Sequence, residues 1–81
     1  MYASIGKTKW KAESFEQISK AYLRTIEEAG KRGIEPYQVP KCWITDEHDR
    51  IKAFCSTSGR VYGGVEIKFG VAPLYEPPFV R

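Results

Sequence analysis

Apolar positions along this chain follow two periods, one of 3.6 residues and one of two, and each marks a different element. Phe15, Ile18, Tyr22, Ile26 and Ala29 fall on one helical stripe, flanked by Leu23. Glu16, Lys20, Arg24, Glu27 and Glu28 occupy the other side, and Glu16 with Lys20 and Arg24 with Glu28 stand four apart, a favourable spacing. Ser14-Phe15-Glu16-Gln17 has the form of a capping box, in which Ser14 accepts from the Gln17 amide and Gln17 reaches back. The pattern predicts a helix over 14–29, ended by Gly30 or Gly33, with Lys31 and Arg32 at the negative end of its dipole. Pro36 and Pro40 make 34–40 a connector.

Beyond the connector the period changes to two. Residues 41–45, 50–57 and 61–69 read as three strands bounded by turn residues. One face collects Cys42, Ile44, Ile51, Ala53, Cys55, Val61, Val65, Ile67 and Phe69. The other collects Trp43, Thr45, Lys52, Phe54, Ser56, Tyr62, Glu66 and Lys68. A two-residue loop at His48-Asp49 sets Cys42 opposite Cys55, Trp43 opposite Phe54 and Thr45 opposite Lys52; a four-residue loop, 46–49, keeps the faces but separates the aromatics. A three-residue loop at Ser58-Gly59-Arg60 pairs Ile51 with Ile67, Ala53 with Val65 and Lys52 with Glu66. Gly63-Gly64 suggests a bulge or a close backbone approach.

The fold class expected is α+β: one amphipathic helix on a three-stranded antiparallel sheet, with a fourth strand near Tyr2–Ile5. If residues 7–11 are extended, Lys7, Lys9 and Lys11 share one side and Trp10 takes the other. Residues 1–70 form one domain in this reading. Residues 71–81, with Pro73, Pro77 and Pro78 among Leu74, Tyr75 and Phe79, form an extended C-terminal tail.

At 81 residues the chain fits one domain, which buries only roughly 60% of its unfolded surface. With 42% hydrophobic and 28% charged residues it has enough apolar content to fold. The net charge of +3 allows an anionic partner without requiring one. Two cysteines and no apolar leader or run of about 18 apolar residues point to a cytoplasmic setting, no membrane and reduced thiols.

Candidate chemistry is sparse. Cys42, Cys55 and the turn residue His48 do not make a metal site, which needs four suitably spaced ligands. His48 among Asp46, Glu47 and Asp49 is a solvated hairpin tip, without the pocket and oriented partner a general base requires. No Ser or Cys stands in a nucleophile motif, and no glycine cluster precedes a helix as a phosphate loop does. The expectation is a protein that is not an enzyme and takes no small-molecule cofactor.

One surface remains. A single helix covers one sheet face, and the other carries Trp43, Phe54 and Tyr62 interleaved with Arg50, Lys52, Arg60 and Lys68. Aromatic rings among cations on an open sheet suit single-stranded nucleic acid, with bases on the rings and phosphates on the cations. Lys7, Lys9 and Lys11 form a secondary basic segment. Two other occupants of that face stay open: the chain's own segments, carrying Trp10, Leu74, Tyr75 and Phe79, or a protein partner. In the latter case the chain is a small regulator or inhibitor of the kind phages and mobile elements encode, acting through this face or through the tail as a linear ligand. Unpaired sheet edges also allow a homodimer.

Overall fold

The computed structural model describes residues 1–78 and contains one helix packed on a five-stranded antiparallel sheet. The strands are β1 (Tyr2–Ile5), β2 (Thr8–Lys11), β3 (Cys42–Thr45), β4 (Ile51–Cys55) and β5 (Val61–Gly63), in the order β2-β1-β3-β4-β5. The helix α1 (Phe15–Lys31) lies between β2 and β3 in the chain, and a 3₁₀ turn at Pro36–Gln38 follows it.

The expected three or four strands become five because residues 2–11 form a hairpin. Gly6 and Lys7 make its two-residue turn, with Gly6 at φ 60, where a side chain is disfavoured. β2 escapes the hydrophobic pattern because it is an edge strand with lysines at alternate positions, which discourages edge-to-edge pairing.

Helix α1 starts as its sequence dictates. Ser14 Oγ accepts from the Gln17 amide at 3.2 Å, and Gln17 Oε1 accepts from the Glu13 amide. The Glu16–Lys20 ion pair forms at 3.0 Å. The helix passes through Gly30 and ends in a Schellman motif. The Ile34 amide donates to Ala29, the Gly33 amide to Gly30, and Gly33 takes the left-handed conformation at φ 81. Ile18, Ser19 and Tyr22 are buried against Ala3, Cys42, Ile44, Ala53, Cys55 and Val61 from the sheet. Ile5, Trp10, Phe15, Ile26, Val39 and Tyr75 close around this core.

The β3–β4 register opposes Cys42 to Cys55 and Trp43 to Phe54, then shifts by one at Ile44/Thr45, so Thr45 faces Ile51 rather than Lys52. The shift absorbs the extra residue of a three-residue turn over 47–49, with Asp49 at φ 64. It also carries Ile51 out of the apolar face, leaving it 43% exposed.

The β4–β5 turn is 57–59 rather than 58–60, and Phe54 pairs with Tyr62. The pairings of Ile51 with Ile67, Ala53 with Val65 and Lys52 with Glu66 do not form. The sheet ends at Gly63, and Val65, Ile67 and Phe69 are exposed. The slip is two residues, so the faces survive it. At the outer edge of β5, Val61 instead exchanges backbone bonds with Leu74 and Tyr75.

Helix, turn and C-terminal segment meet at Gly59. Ser19 Oγ donates to the Gly59 carbonyl at 2.7 Å in a buried contact. A Cβ at Gly59 would lie 2.9 Å from Leu23 Cδ1 and from Pro77 Cγ, and φ there is 92. Gly59→Ala adds overpacking to left-handed strain, roughly 3 kcal/mol in total. A domain this small has about 3–5 kcal/mol to lose. Urea denaturation should therefore find Gly59→Ala with most of its stability gone and its midpoint moved close to zero denaturant, whereas Gly30→Ala, with open space at its Cβ, should be neutral or mildly stabilising.

Candidate functional site

The face of the sheet opposite α1 carries one row of side chains across all five strands: Lys9, Ser4, Trp43, Phe54 and Tyr62 are successive cross-strand partners. Trp43 meets Phe54 edge-on, with centroids 6.2 Å apart and planes at 63°. Phe54 stacks on Tyr62 at 5.8 Å and 26°. Phe54 is only 3% exposed yet lies outside the helix-side core, whereas Trp43 and Tyr62 are half-buried. The row is thus one buried ring between two half-buried ones.

Lys41 sits over this row. Its Nζ lies 5.2 Å from the Trp43 centroid and 4.9 Å from that of Phe54, within cation–π range. Lys41 heads the strand read over 41–45, yet the cations assigned to this face from the sequence left it out. Its parity marks it, since 41 shares the face of 43.

The other cations of the sequence reading are dispersed. Arg50 Nε binds Asp46 Oδ2 at 3.0 Å, and Lys52 Nζ lies 3.9 Å from the same oxygen, both at the β3–β4 turn. Arg60 pairs with Glu76 at 3.0 Å, and this carboxylate holds its pKa above the ordinary value, with Tyr62 assisting. Lys9 pairs with Asp49 while its ammonium lies over the Tyr2 ring. Lys11 is exposed on edge strand β2, Lys7 occupies the hairpin turn, and Lys68 lies beyond the last strand.

The chain's own segments turn away from the aromatic row. Trp10 and Tyr75 pack against the helix-side core. Leu74 lines a cavity of about 430 Å³ with Phe15, Ile44 and Ala53, and Pro77 is buried near Leu23 and Gly59. Phe79 lies outside the described residues.

Cys42 and Cys55 are free, buried thiols on the helix side, each pushed up to about 12 by burial. Burial likewise raises Tyr22 to about 12, and its hydroxyl donates to the Pro40 carbonyl at 3.1 Å. His48 is exposed at the turn, 3.7 Å from Glu47. Among the described residues no group of three or more His, Cys, Asp or Glu could hold a metal ion, and no helix is long and apolar enough to cross a membrane.

Asp46 organises the β3–β4 turn beside the row. Its carboxylate accepts from the Arg50 amide at 3.0 Å and the His48 amide at 2.8 Å. The Arg50 amide bond is the main cause of a pKa lowered to about 2, joined by the His48 amide and the Arg50 charge. A depressed carboxylate stabilises the fold fully above its unfolded pKa of about 3.9, and that stability is lost as pH falls toward 2. An NMR titration should place the Asp46 midpoint near 2. Asp46→Asn should be less stable at neutral pH and should lose less stability than wild type between pH ~4 and ~2.

No family description, characterised protein or solved structure matches this chain.

Proposed function

We infer that the protein is a non-catalytic binding module whose helix-free sheet face takes single-stranded nucleic acid. The observation that carries this reading is the aromatic row Trp43, Phe54, Tyr62 with Lys41 above it, left uncovered by Trp10, Leu74, Tyr75 and Pro77. In this reading bases stack on the half-open Trp43 and Tyr62, and buried Phe54 holds those two rings apart and in place. Stacking accepts any base, because every base has a π-face. Lys41 meets a phosphate, and Arg50, Lys52 and Arg60 join as they exchange their internal carboxylates for phosphates. Lys7, Lys9, Lys11 and Lys68 contribute only a diffuse positive field at the margins. The module works in the cytoplasm, where Cys42 and Cys55 stay reduced.

The pairing of Arg50, Lys52, Arg60 and Lys9 with internal acids favours a second reading, a protein partner on the same face. Such a partner would meet a surface that is more aromatic than basic, as the centres of protein interfaces are. The two readings differ in salt dependence. Each phosphate contact adds about −0.7 to the slope of log K against log salt for a single strand, whereas an apolar protein contact is nearly salt-insensitive.

A fluorescence titration with a single-stranded oligonucleotide at low salt should quench Trp43. Trp43→Ala should weaken binding about 10- to 100-fold, the worth of one stacked base. Lys41→Gln should reduce the salt slope by about 0.7. Absence of quenching at low salt would remove the nucleic-acid reading and leave the protein partner.

A further inference from the structure

Beyond Gly63 the chain leaves the sheet, with Gly64 at φ 83. Val65, Ile67 and Phe69 then stand 55%, 59% and 107% exposed, alternating with Glu66 and Lys68. The segment bends at 64–66 and turns at 69–70; drawn out into an extended backbone, its three apolar side chains would share one side and the two charges the other. Among the described residues, the amides of 65–70 donate to no backbone carbonyl, and of these residues only Lys68 accepts a backbone bond, from Val71 at 3.2 Å. Neither Glu66 nor Lys68 has an ion-pair partner among the described residues. The segment therefore offers open backbone groups and three exposed apolar side chains.

Its order is self-complementary about Ile67: apolar, acid, Ile67, base, apolar. We propose that the protein forms a homodimer by antiparallel pairing of residues 65–69 with the same segment of a second copy, centred on Ile67.

This register places Ile67 opposite Ile67 and Val65 opposite Phe69. Glu66 falls opposite Lys68, twice per dimer, as a two-fold axis requires. A slip of two residues sets either Glu66 against Glu66 or Lys68 against Lys68. A slip of one turns the apolar side chains of one copy against the charges of the other. In-register parallel pairing opposes like charges at both positions, and a parallel pairing shifted by two makes the Glu66–Lys68 match only once and has no two-fold axis to close it. The charges therefore select a second copy of this chain, in one register, as the occupant of the segment. Five residues per copy make a small interface, so the dimer is weak and exchanges rapidly. The segment lies outside the aromatic row, and its pairing does not depend on what that row binds.

Sedimentation equilibrium of the full chain, up to about millimolar concentration, tests the proposal. Wild type should self-associate. Glu66→Lys alone and Lys68→Glu alone should each weaken association about tenfold, because each sets two pairs of like charges in contact. The double variant should recover wild-type association, and an equimolar mixture of the two single variants should associate as well. The substituted side chains are exposed, and circular dichroism should find every variant folded. A monomeric wild type, single variants that associate as wild type does, or a double variant as weak as the singles would each overturn it.

Discussion

Ser19 donates its hydroxyl proton to the carbonyl of Gly59, and three segments converge on that buried contact: the middle of α1, the turn between β4 and β5, and the C-terminal stretch at Pro77. An unpaired hydroxyl or carbonyl at such depth costs about 1–3 kcal/mol, a large share of a small domain's stability. The contact sets where the helix crosses the sheet. It also requires glycine, since φ is 92 and any Cβ would strike Leu23 and Pro77. With Pro77 held there and Arg60 bound to Glu76, the stretch from Leu74 to Pro77 stays at the outer edge of β5 and on the helix side. The aromatic row on the opposite face follows from this seating as much as from strand alternation.

That face is less basic than the lysine and arginine count suggests. Asp46 draws in Arg50 and Lys52, Asp49 draws in Lys9, and Glu76 draws in Arg60. These pairs are exposed, and each is worth no more than about 1 kcal/mol, so a phosphate competes with the carboxylate at little cost. Lys41 differs. Its ammonium lies over the rings of Trp43 and Phe54, and no carboxylate among the described residues pairs with it. The functional reading rests on this cation and the two half-open rings rather than on a basic stripe.

The helix and the faces of β3 and β4 were legible because each follows from a repeated local pattern; the pairing of Cys42 with Cys55 and Trp43 with Phe54 was reached through a two-residue turn, and it stands because the shift at Ile44/Thr45 offsets the third turn residue. Three features were not legible. The hairpin of β1 and β2 was half seen, because its second strand is lysine-rich and lies at an edge. The shift at Ile44/Thr45 came from a three-residue turn ending on a left-handed Asp49, where the chain offers no glycine to announce it. The strand predicted through Phe69 stopped at Gly63, since alternation describes a strand's side chains but not whether a neighbour waits to pair with it. At the site, parity named Trp43, Phe54 and Tyr62 but not which ring would be buried. Burial depends on packing across three strands, which no single-strand pattern contains.

The measurement that bears most directly on the aromatic face is a two-dimensional NMR titration of the intact chain with a short single-stranded oligonucleotide at low salt. The account predicts shifts in the Trp43 indole, Tyr62, Lys41 and Ser4, with the Trp10 indole and the exposed side of α1 unmoved. Shifts confined to α1 or to the Trp10 side of the sheet, or no shifts at all, would contradict it.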